Sequence, residues 1–159
     1  MPKHKKILAI DPGTREMGIA FLEGERLIYH GVKVITHRTS SHEILKQGRE
    51  SMIRLIKDFR PDILVYEKSF FTNSRNSALV DHIKAIGRRK KLRVVGYAAN
   101  TVKKFICGNG RASKHEVARA VIGRYPELAV YLDQDRKWKE LYHLNMFDAV
   151  ALGMVGSVK

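Results

Sequence analysis

The sequence predicts an α/β fold in which helices flank a five-stranded mixed sheet. The first 36 residues hold three strand-like segments joined by short turns, a pattern typical of an antiparallel meander. After them, helical and strand-like segments alternate, which is typical of parallel strands connected through helices. The chain has 159 residues, enough for one domain with a hydrophobic core, so we expect a single domain over residues 1–159.

Each predicted strand has its own signal. KKILAID (residues 5–11) is apolar until its final aspartate, and MGIAFLEG (17–24) ends in a turn glycine. RLIYHGVKVIT (26–36) is rich in β-branched residues with partial alternation. DILVYE (62–67) is almost wholly apolar, as expected for a parallel strand buried on both faces, and LRVVGYA (92–98) supplies the fifth strand.

The helices follow from apolar spacing and from capping residues. Apolar residues at spacings of three and four predict a helix over residues 40–60, which Pro61 ends. Ser40 with Glu43, and Ser113 with Glu116, have the spacing of a capping box. The other predicted helices cover residues 77–89, 100–106, 113–123 and 142–156. Most of residues 124–142 gives no functional signal.

The charge balance narrows the class of partner. Thirty Lys and Arg against sixteen Asp and Glu give a net charge of +14. This excess favours a polyanionic partner, most commonly nucleic acid, although a basic solvated surface would give the same count. The single cysteine, Cys107, excludes an intrachain disulfide and suits a reducing cytoplasm, where we expect the protein. We expect no membrane contact, because no apolar run approaches 18 residues.

Three acidic residues stand among apolar neighbours. Asp11 ends ILAI, Glu67 ends DILVY, and Asp148 lies within NMFDAVALGMV. If the two strands are neighbours, both strand-end carboxylates emerge at one edge of the sheet, where a final helix could add Asp148. Carboxylates brought together repel, and Mg²⁺ relieves this because it prefers carboxylate oxygens. On a basic protein, the combination indicates phosphodiester hydrolysis assisted by two metal ions.

Each carboxylate also has a plainer explanation. Asp11 could start a turn before Pro-Gly, Glu67 could pair with Lys68 or Arg75, and Asp148 could belong to an unrelated ion pair. Spacing alone leaves both interpretations open.

An ordered set of motifs resembles the RuvC-type Holliday-junction resolvases, which are crossover junction endodeoxyribonucleases. The motifs are Asp11-Pro12-Gly13 with Gly18, Glu67 followed by Phe70 and NSALV (76–80), GNGRASKHEV (108–117) and DAVAL (148–152). The resemblance implies an RNase H-like fold, dependence on Mg²⁺ or Mn²⁺, and a homodimer that cuts four-way DNA junctions. It leaves open a branch-migration helicase as a further partner.

The resemblance also implies metal ligands. Asp11, Glu67 and Asp148 match three of the family's four ligand positions. The fourth lies three residues before Asp148, where the family has an acid or a histidine and this chain has Asn145. We expect Asn145 rather than His143 to complete the site, with one charge fewer and a shifted metal preference.

The DNA contacts implied by the resemblance lie in two segments. Phe70 matches a loop aromatic that stacks on bases, while Phe71 is expected to anchor the loop. Lys103 and Lys114 match basic positions near the scissile phosphate, where either could stabilise transition-state charge. The full predicted set is Phe70, Phe71, Arg75, Lys103, Lys104, Arg111 and Lys114.

Two other functions compete with junction resolution. The first is another RNase H-like nuclease acting on a flap or on an RNA-containing substrate. The second is a catalytically weak junction-binding module, which Asn145 makes plausible because it removes a charge from the metal site.

Overall fold

The computed structural model describes residues 4–12, 16–34, 41–68, 74–134 and 143–159, apart from the side chains at 41, 44, 74–77, 133 and 134. The strands are β1 (Lys6–Asp11), β2 (Glu16–Glu23), β3 (Arg26–Val34), β4 (Ile63–Lys68) and β5 (Arg93–Ala98). The helices are α1 (Ser41–Phe59), α2 (Ser74–Arg89), α3 (Ala99–Cys107), α4 (Lys114–Arg124), α5 (Ala129–Gln134) and α6 (Leu144–Val158), with a 3₁₀ turn at Pro126–Leu128.

The five strands form one mixed sheet in the order β3-β2-β1-β4-β5. The first three strands pair antiparallel, while β4 pairs parallel with both β1 and β5. The predicted meander followed by parallel strands is therefore confirmed. Because β1 and β4 are parallel neighbours, their carboxyl ends reach the same edge at the centre of the sheet.

Helices cover both faces of the sheet, and strand alternation assigns each side chain to one face. Ile7, Ala9, Ala20, Leu22 and Val65 join the core under α6, α4 and the end of α3. The intervening residues of the same strands, such as Leu8 and Ile19, pack in a second core with α1 and α2. Asp11 and Glu67 continue the first series, so both project from the face that carries α6.

The predicted helices begin and end within three residues of the observed ones. The capping box of Ser113 and Glu116 is present and starts α4. The proposed partner of Glu43, Ser40, lies outside the described residues. Within the region that gave no signal, the chain forms the 3₁₀ turn and α5. No helix in the described ranges is long and apolar enough to cross a bilayer.

Candidate active site

Asp11 and Glu67 lie side by side because of strand register. Ile10 of β1 is level with Tyr66 of β4 in the parallel pair, so the next residue of each strand reaches the same height. The two carboxyl groups are within hydrogen-bonding reach of each other. Asp11 is only 6% exposed. The parallel pairing of β1 and β4 therefore places both acids at the same sheet edge, with Asp11 buried.

Helix α6 crosses this point because one residue of β2 has no side chain. Gly18 pairs directly with Asp11 across the antiparallel ladder. A Cβ on Gly18 would collide with the backbone carbonyl of Asn145, in the first turn of α6. Glycine thus lets the helix approach the strand closely, and Asp148 follows one turn later.

Lys114 is the positive group of the cluster. It is the first residue of α4, whose start is fixed by the Ser113–Glu116 capping box. Its ammonium Nζ lies 3.2 Å from Asp148 Oδ2, with the two side chains 48% and 15% exposed. Behind it, the Tyr125 hydroxyl donates to the backbone carbonyl of Glu25 at 2.6 Å, which ties the far end of α4 to the β2–β3 turn.

Burial and nearby charges both shift the pKa values of the two aspartates. Burial, above all, raises the pKa of Asp11 well above its ordinary value, and the neighbouring carboxylates of Glu67 and Asp148 raise it further. Burial also raises the pKa of Asp148, although the charge and hydrogen bond of Lys114 and the charge of Lys103 oppose this. The site therefore disfavours its own negative charges.

Two lysines lie near the carboxylates and offset part of their charge. Burial would lower the pKa of Lys114, but the charges of Asp148, Asp11 and Glu67 outweigh it and raise that pKa. Lys114 therefore stays protonated at neutral pH. Lys103 of α3 is close enough to stabilise the charged form of Asp148. Two predicted phosphate-contacting lysines thus flank the carboxylate cluster.

The donor set suits a hard divalent cation, although its members do not yet surround one point. Within the portion of the chain that the structure describes, no three acidic, histidine or cysteine side chains are placed to hold one ion. Asp148 is paired with Lys114 instead. A cation would replace that ammonium and offset the repulsion that raises the pKa of Asp11, and carboxylate oxygens are the ligands it prefers. The residues therefore fit a divalent metal in the kind of ligand that they offer.

Asn145 lies one turn before Asp148 and has a partner that sequence reasoning missed. Its amide Nδ2 donates to Glu16 Oε2 at 3.1 Å. Glu16 begins β2 and shares a strand face with Gly18, so period-two alternation was the signal that could have found it. His143 instead precedes α6 and packs against the ring of Tyr131, with ring centroids 5.1 Å apart. This placement favours Asn145 as the fourth candidate ligand.

The remaining predicted DNA contacts vary in what the structure describes. Phe70 and Phe71 lie outside the described residues, as does Gly13. Arg75 belongs to the first turn of α2, and its side chain is not described. Lys104 and Arg111 are exposed, on α3 and on the segment between α3 and α4. These two extend the positive surface outward from Lys103 and Lys114.

Comparison with known families decides the class. The family model described as crossover junction endodeoxyribonuclease RuvC matches residues 7–125. The chain belongs to the RuvC family. That match includes Asp11, Glu67, Lys103 and Lys114 but stops before α6, so the placement of Asp148 and Asn145 rests on the geometry described above.

Individual RuvC relatives agree with this membership. The RuvC of Maricaulis maris is 37% identical over 125 residues, which are 73% of this chain and 75% of the relative. The RuvC of Syntrophotalea carbinolica is 33% identical over 135 residues, which are 78% of this chain and 84% of the relative. Both are crossover junction endodeoxyribonucleases by name.

Solved structures confirm the RNase H-like fold that the sequence motifs implied. Thermus thermophilus RuvC superposes with a TM-score of 0.73 at 20% identity, covering 94% of this chain and 91% of its own. The same RuvC in complex with Holliday junction substrate superposes with a TM-score of 0.72 at 19% identity. This superposition covers 95% of this chain and 91% of the other. The yeast mitochondrial Holliday junction resolvase superposes with a TM-score of 0.72 at 13% identity. This superposition covers 99% of this chain and 79% of the resolvase.

Proposed function

We propose that this RuvC-family chain cuts four-way DNA junctions by divalent-metal-dependent phosphodiester hydrolysis. The single observation that carries the proposal is the cluster at the sheet edge. There, Asp11 is buried within hydrogen-bonding reach of Glu67, and Asp148 of the last helix is near enough for its charge to raise the pKa of Asp11. A fold has little reason to bury adjacent carboxylates at this cost unless a cation uses them.

The proposed metal ligands are Asp11, Glu67, Asp148 and the amide oxygen of Asn145. We propose Mg²⁺ as the ion, two per site, with Mn²⁺ able to substitute. When bound, the ions would activate the attacking water and stabilise the leaving 3′ oxygen. The protein holds the carboxylates on two neighbouring strands and one helix, next to the apolar core beneath that helix.

The lysines have a second proposed role. Lys114 and Lys103 place positive charge beside the carboxylate cluster, where a DNA phosphate must approach. With Asp148 engaged as a metal ligand, the Lys114 ammonium would be available to the phosphate and would stabilise its transition-state charge. Lys104 and Arg111, with Arg75 and the aromatics Phe70 and Phe71, are proposed to hold the flanking DNA.

The proposed assembly is a twofold homodimer in which each chain forms a single domain. A twofold axis places two equivalent sites on opposing strands of a junction, which is the geometry needed for paired nicks. We propose the cytoplasm as its location and a branch-migration helicase as an additional partner. Sedimentation of the protein alone and with junction DNA tests the dimer.

A cleavage assay on matched substrates tests the activity. The substrates are a mobile four-way junction, a linear duplex of the same sequence, a flap and an RNA–DNA hybrid, each with Mg²⁺ and then Mn²⁺. We expect symmetrical nicks in the junction from the wild type and none from Asp11→Asn, which should still bind. Asp58→Asn, an exposed carboxylate on α1, should cut like the wild type.

The alternatives make different predictions in the same assay. Equal or better cutting of the hybrid or the flap would contradict the junction assignment. Tight junction binding without nicks in either metal would instead favour a binding module, the function that Asn145 raises. The observation supporting the enzyme over the binder is that Asp11 is buried within hydrogen-bonding reach of a second carboxylate, Glu67.

A further inference from the structure

The Asn145 side chain is held from behind by a carboxylate. The 3.1 Å hydrogen bond from its Nδ2 to Glu16 Oε2 is partly buried and links residues 129 positions apart. The backbone on both sides is fixed, because Gly18, two residues after Glu16, lies against the Asn145 carbonyl. The pair is therefore built into the contact between β2 and α6 rather than formed by two loose surface groups.

This hydrogen bond determines which atom of the Asn145 amide is left to bind a cation. An amide has one donating nitrogen and one accepting oxygen, and a divalent cation binds the oxygen. The carboxylate oxygen of Glu16 accepts the hydrogen bond, so Glu16 engages the amide nitrogen and leaves the amide oxygen for a cation. The negative charge behind the amide also makes its oxygen a stronger donor to a cation, as carboxylates do for other metal-bound side chains.

We propose that Glu16 is a positioning residue for the metal site, and that the Glu16–Asn145 pair takes the place of a fourth charged ligand. The inference rests on the proposed function, because it assumes that the Asp11 cluster binds a divalent ion. Glu16 would supply the charge that Asn145 lacks without contacting the ion itself. The competing explanation is a purely structural hydrogen bond that fastens β2 to α6.

Metal-dependent thermal stability separates the two explanations without using catalysis. The apparent Mg²⁺ and Mn²⁺ affinities are obtained from the rise of Tm with metal concentration, for the wild type, Glu16→Ala and the double variant Glu16→Ala with Asn145→Asp. Glu23→Ala, at the opposite end of β2, is the matched control. The metal-free Tm and circular dichroism of each variant report its folding.

A positioning role predicts that Glu16→Ala weakens metal binding by about tenfold or more, the usual effect of losing such a supporting carboxylate. The double variant should recover affinity, because Asn145→Asp puts the charge directly on the ligand. Glu23→Ala should bind metal like the wild type. A structural hydrogen bond predicts a lower metal-free Tm for Glu16→Ala with unchanged metal affinity, and that result would overturn the inference.

Asp11→Asn keeps the two levels of inference distinguishable. If metal raises the Tm of the wild type but not of Asp11→Asn, the metal site is supported. In that case, an unchanged metal affinity in Glu16→Ala would contradict only the role proposed for Glu16. If metal has no effect on the wild-type Tm, both the metal site and the role of Glu16 are removed.

Discussion

Asp11 is a buried acidic residue whose negative charge is unfavourable in the absence of a cation. The residue is 6% exposed, and burial together with two acidic neighbours raises the pKa of its carboxyl group. We therefore expect Asp11→Asn to stabilise the metal-free protein by about 1–3 kcal/mol, because the amide carries no charge to desolvate. Urea denaturation in EDTA measures this. A less stable Asp11→Asn would mean that the carboxylate is compensated within the protein.

In the absence of metal, Lys114 offsets part of the negative charge of the carboxylate cluster. Because its side chain is about half exposed, its ion pair with Asp148 is screened, and we expect Lys114→Gln to cost only about 0.5–1 kcal/mol in EDTA. The same variant should gain more stability from Mg²⁺ than the wild type, since the ion no longer competes with an ammonium for Asp148. Thermal melts with and without Mg²⁺ measure both effects.

A control lysine checks that this gain is local. Lys104→Gln removes an exposed positive charge one residue from Lys103 without touching Asp148. It should leave the metal-free stability and the Mg²⁺ response nearly unchanged. An equal increase in the Mg²⁺ response for both variants would point to overall charge rather than to displacement of Lys114.

At the scale of elements, sequence patterns predicted the strands and their succession along the chain, but not how closely the strands approach the helices. Apolar runs identified β1 and β4, and their parallel pairing brought Asp11 and Glu67 together as expected. The seating of α6 depends on the contact between Gly18 and the Asn145 backbone, which joins residues far apart in sequence. Helix α5 is six residues long, too short to give a clear periodic signal.

Gly18 allows that seating to be tested. Gly18→Ala would drive a methyl group into the Asn145 carbonyl, and because this neighbour is backbone it cannot rotate away. We expect a loss of about 1–3 kcal/mol, as for other overpacked sites, together with weaker metal binding because α6 carries Asp148. Chemical denaturation and metal titration provide the two measurements.

Gly123 is the matched control glycine. It lies within α4, is exposed, and a Cβ there would meet no atom within 4 Å. Gly123→Ala should stabilise the protein by about 0.5–1 kcal/mol through helix propensity and leave metal binding unchanged. If Gly18→Ala behaved like Gly123→Ala, the close approach of α6 to β2 would not be required.

The contact of β3 with α5 predicts a pH dependence. His30 meets Tyr131 edge to face with ring centroids 5.2 Å apart. Burial chiefly lowers the His30 pKa below 6.5, Glu127 opposes this, and His143 adds to it. Between the folded pKa and 6.5, the unfolded chain binds a proton that the folded chain does not, so stability should fall as pH drops below 6.5.

His30→Gln isolates this contribution. The variant should show a weaker loss of stability than the wild type between about pH 7.5 and about pH 5.5, the range in which histidine titrates. Denaturation midpoints at each pH make the comparison. Parallel curves for the two proteins would assign the acid sensitivity to other groups.

At the scale of the whole molecule, the site is assembled from four distant segments, and this limited what sequence could predict. Asp11 and Glu67 were recognisable because each is an acidic residue at the end of an apolar strand. Asp148 was recognisable as an acidic residue within an apolar helix. Lys114 was one basic residue among thirty Lys and Arg, so only the family motif distinguished it. Glu16 was overlooked because its partner, Asn145, lies 129 residues away.

The net charge of +14 makes the last prediction a property of the entire surface. Each phosphate neutralised by Lys or Arg releases counterions, so junction affinity should fall steeply with salt. A contact set of about 6–10 phosphates would lose about three to five orders of magnitude between about 50 mM and 200 mM salt. Fluorescence anisotropy of labelled junction DNA, bound by catalytically inactive Asp11→Asn, measures the slope.

Single substitutions in this background locate the contacts. Lys104→Ala and Arg111→Ala, which remove exposed charges beside the site, should each reduce the slope of log K against log salt by about 1. Lys57→Ala removes an exposed charge from α1, on the opposite face of the sheet. If all three lowered the slope equally, binding would follow total charge. A smaller slope only for Lys104→Ala and Arg111→Ala would mean that DNA approaches along the face bearing the carboxylates, as junction cleavage there requires.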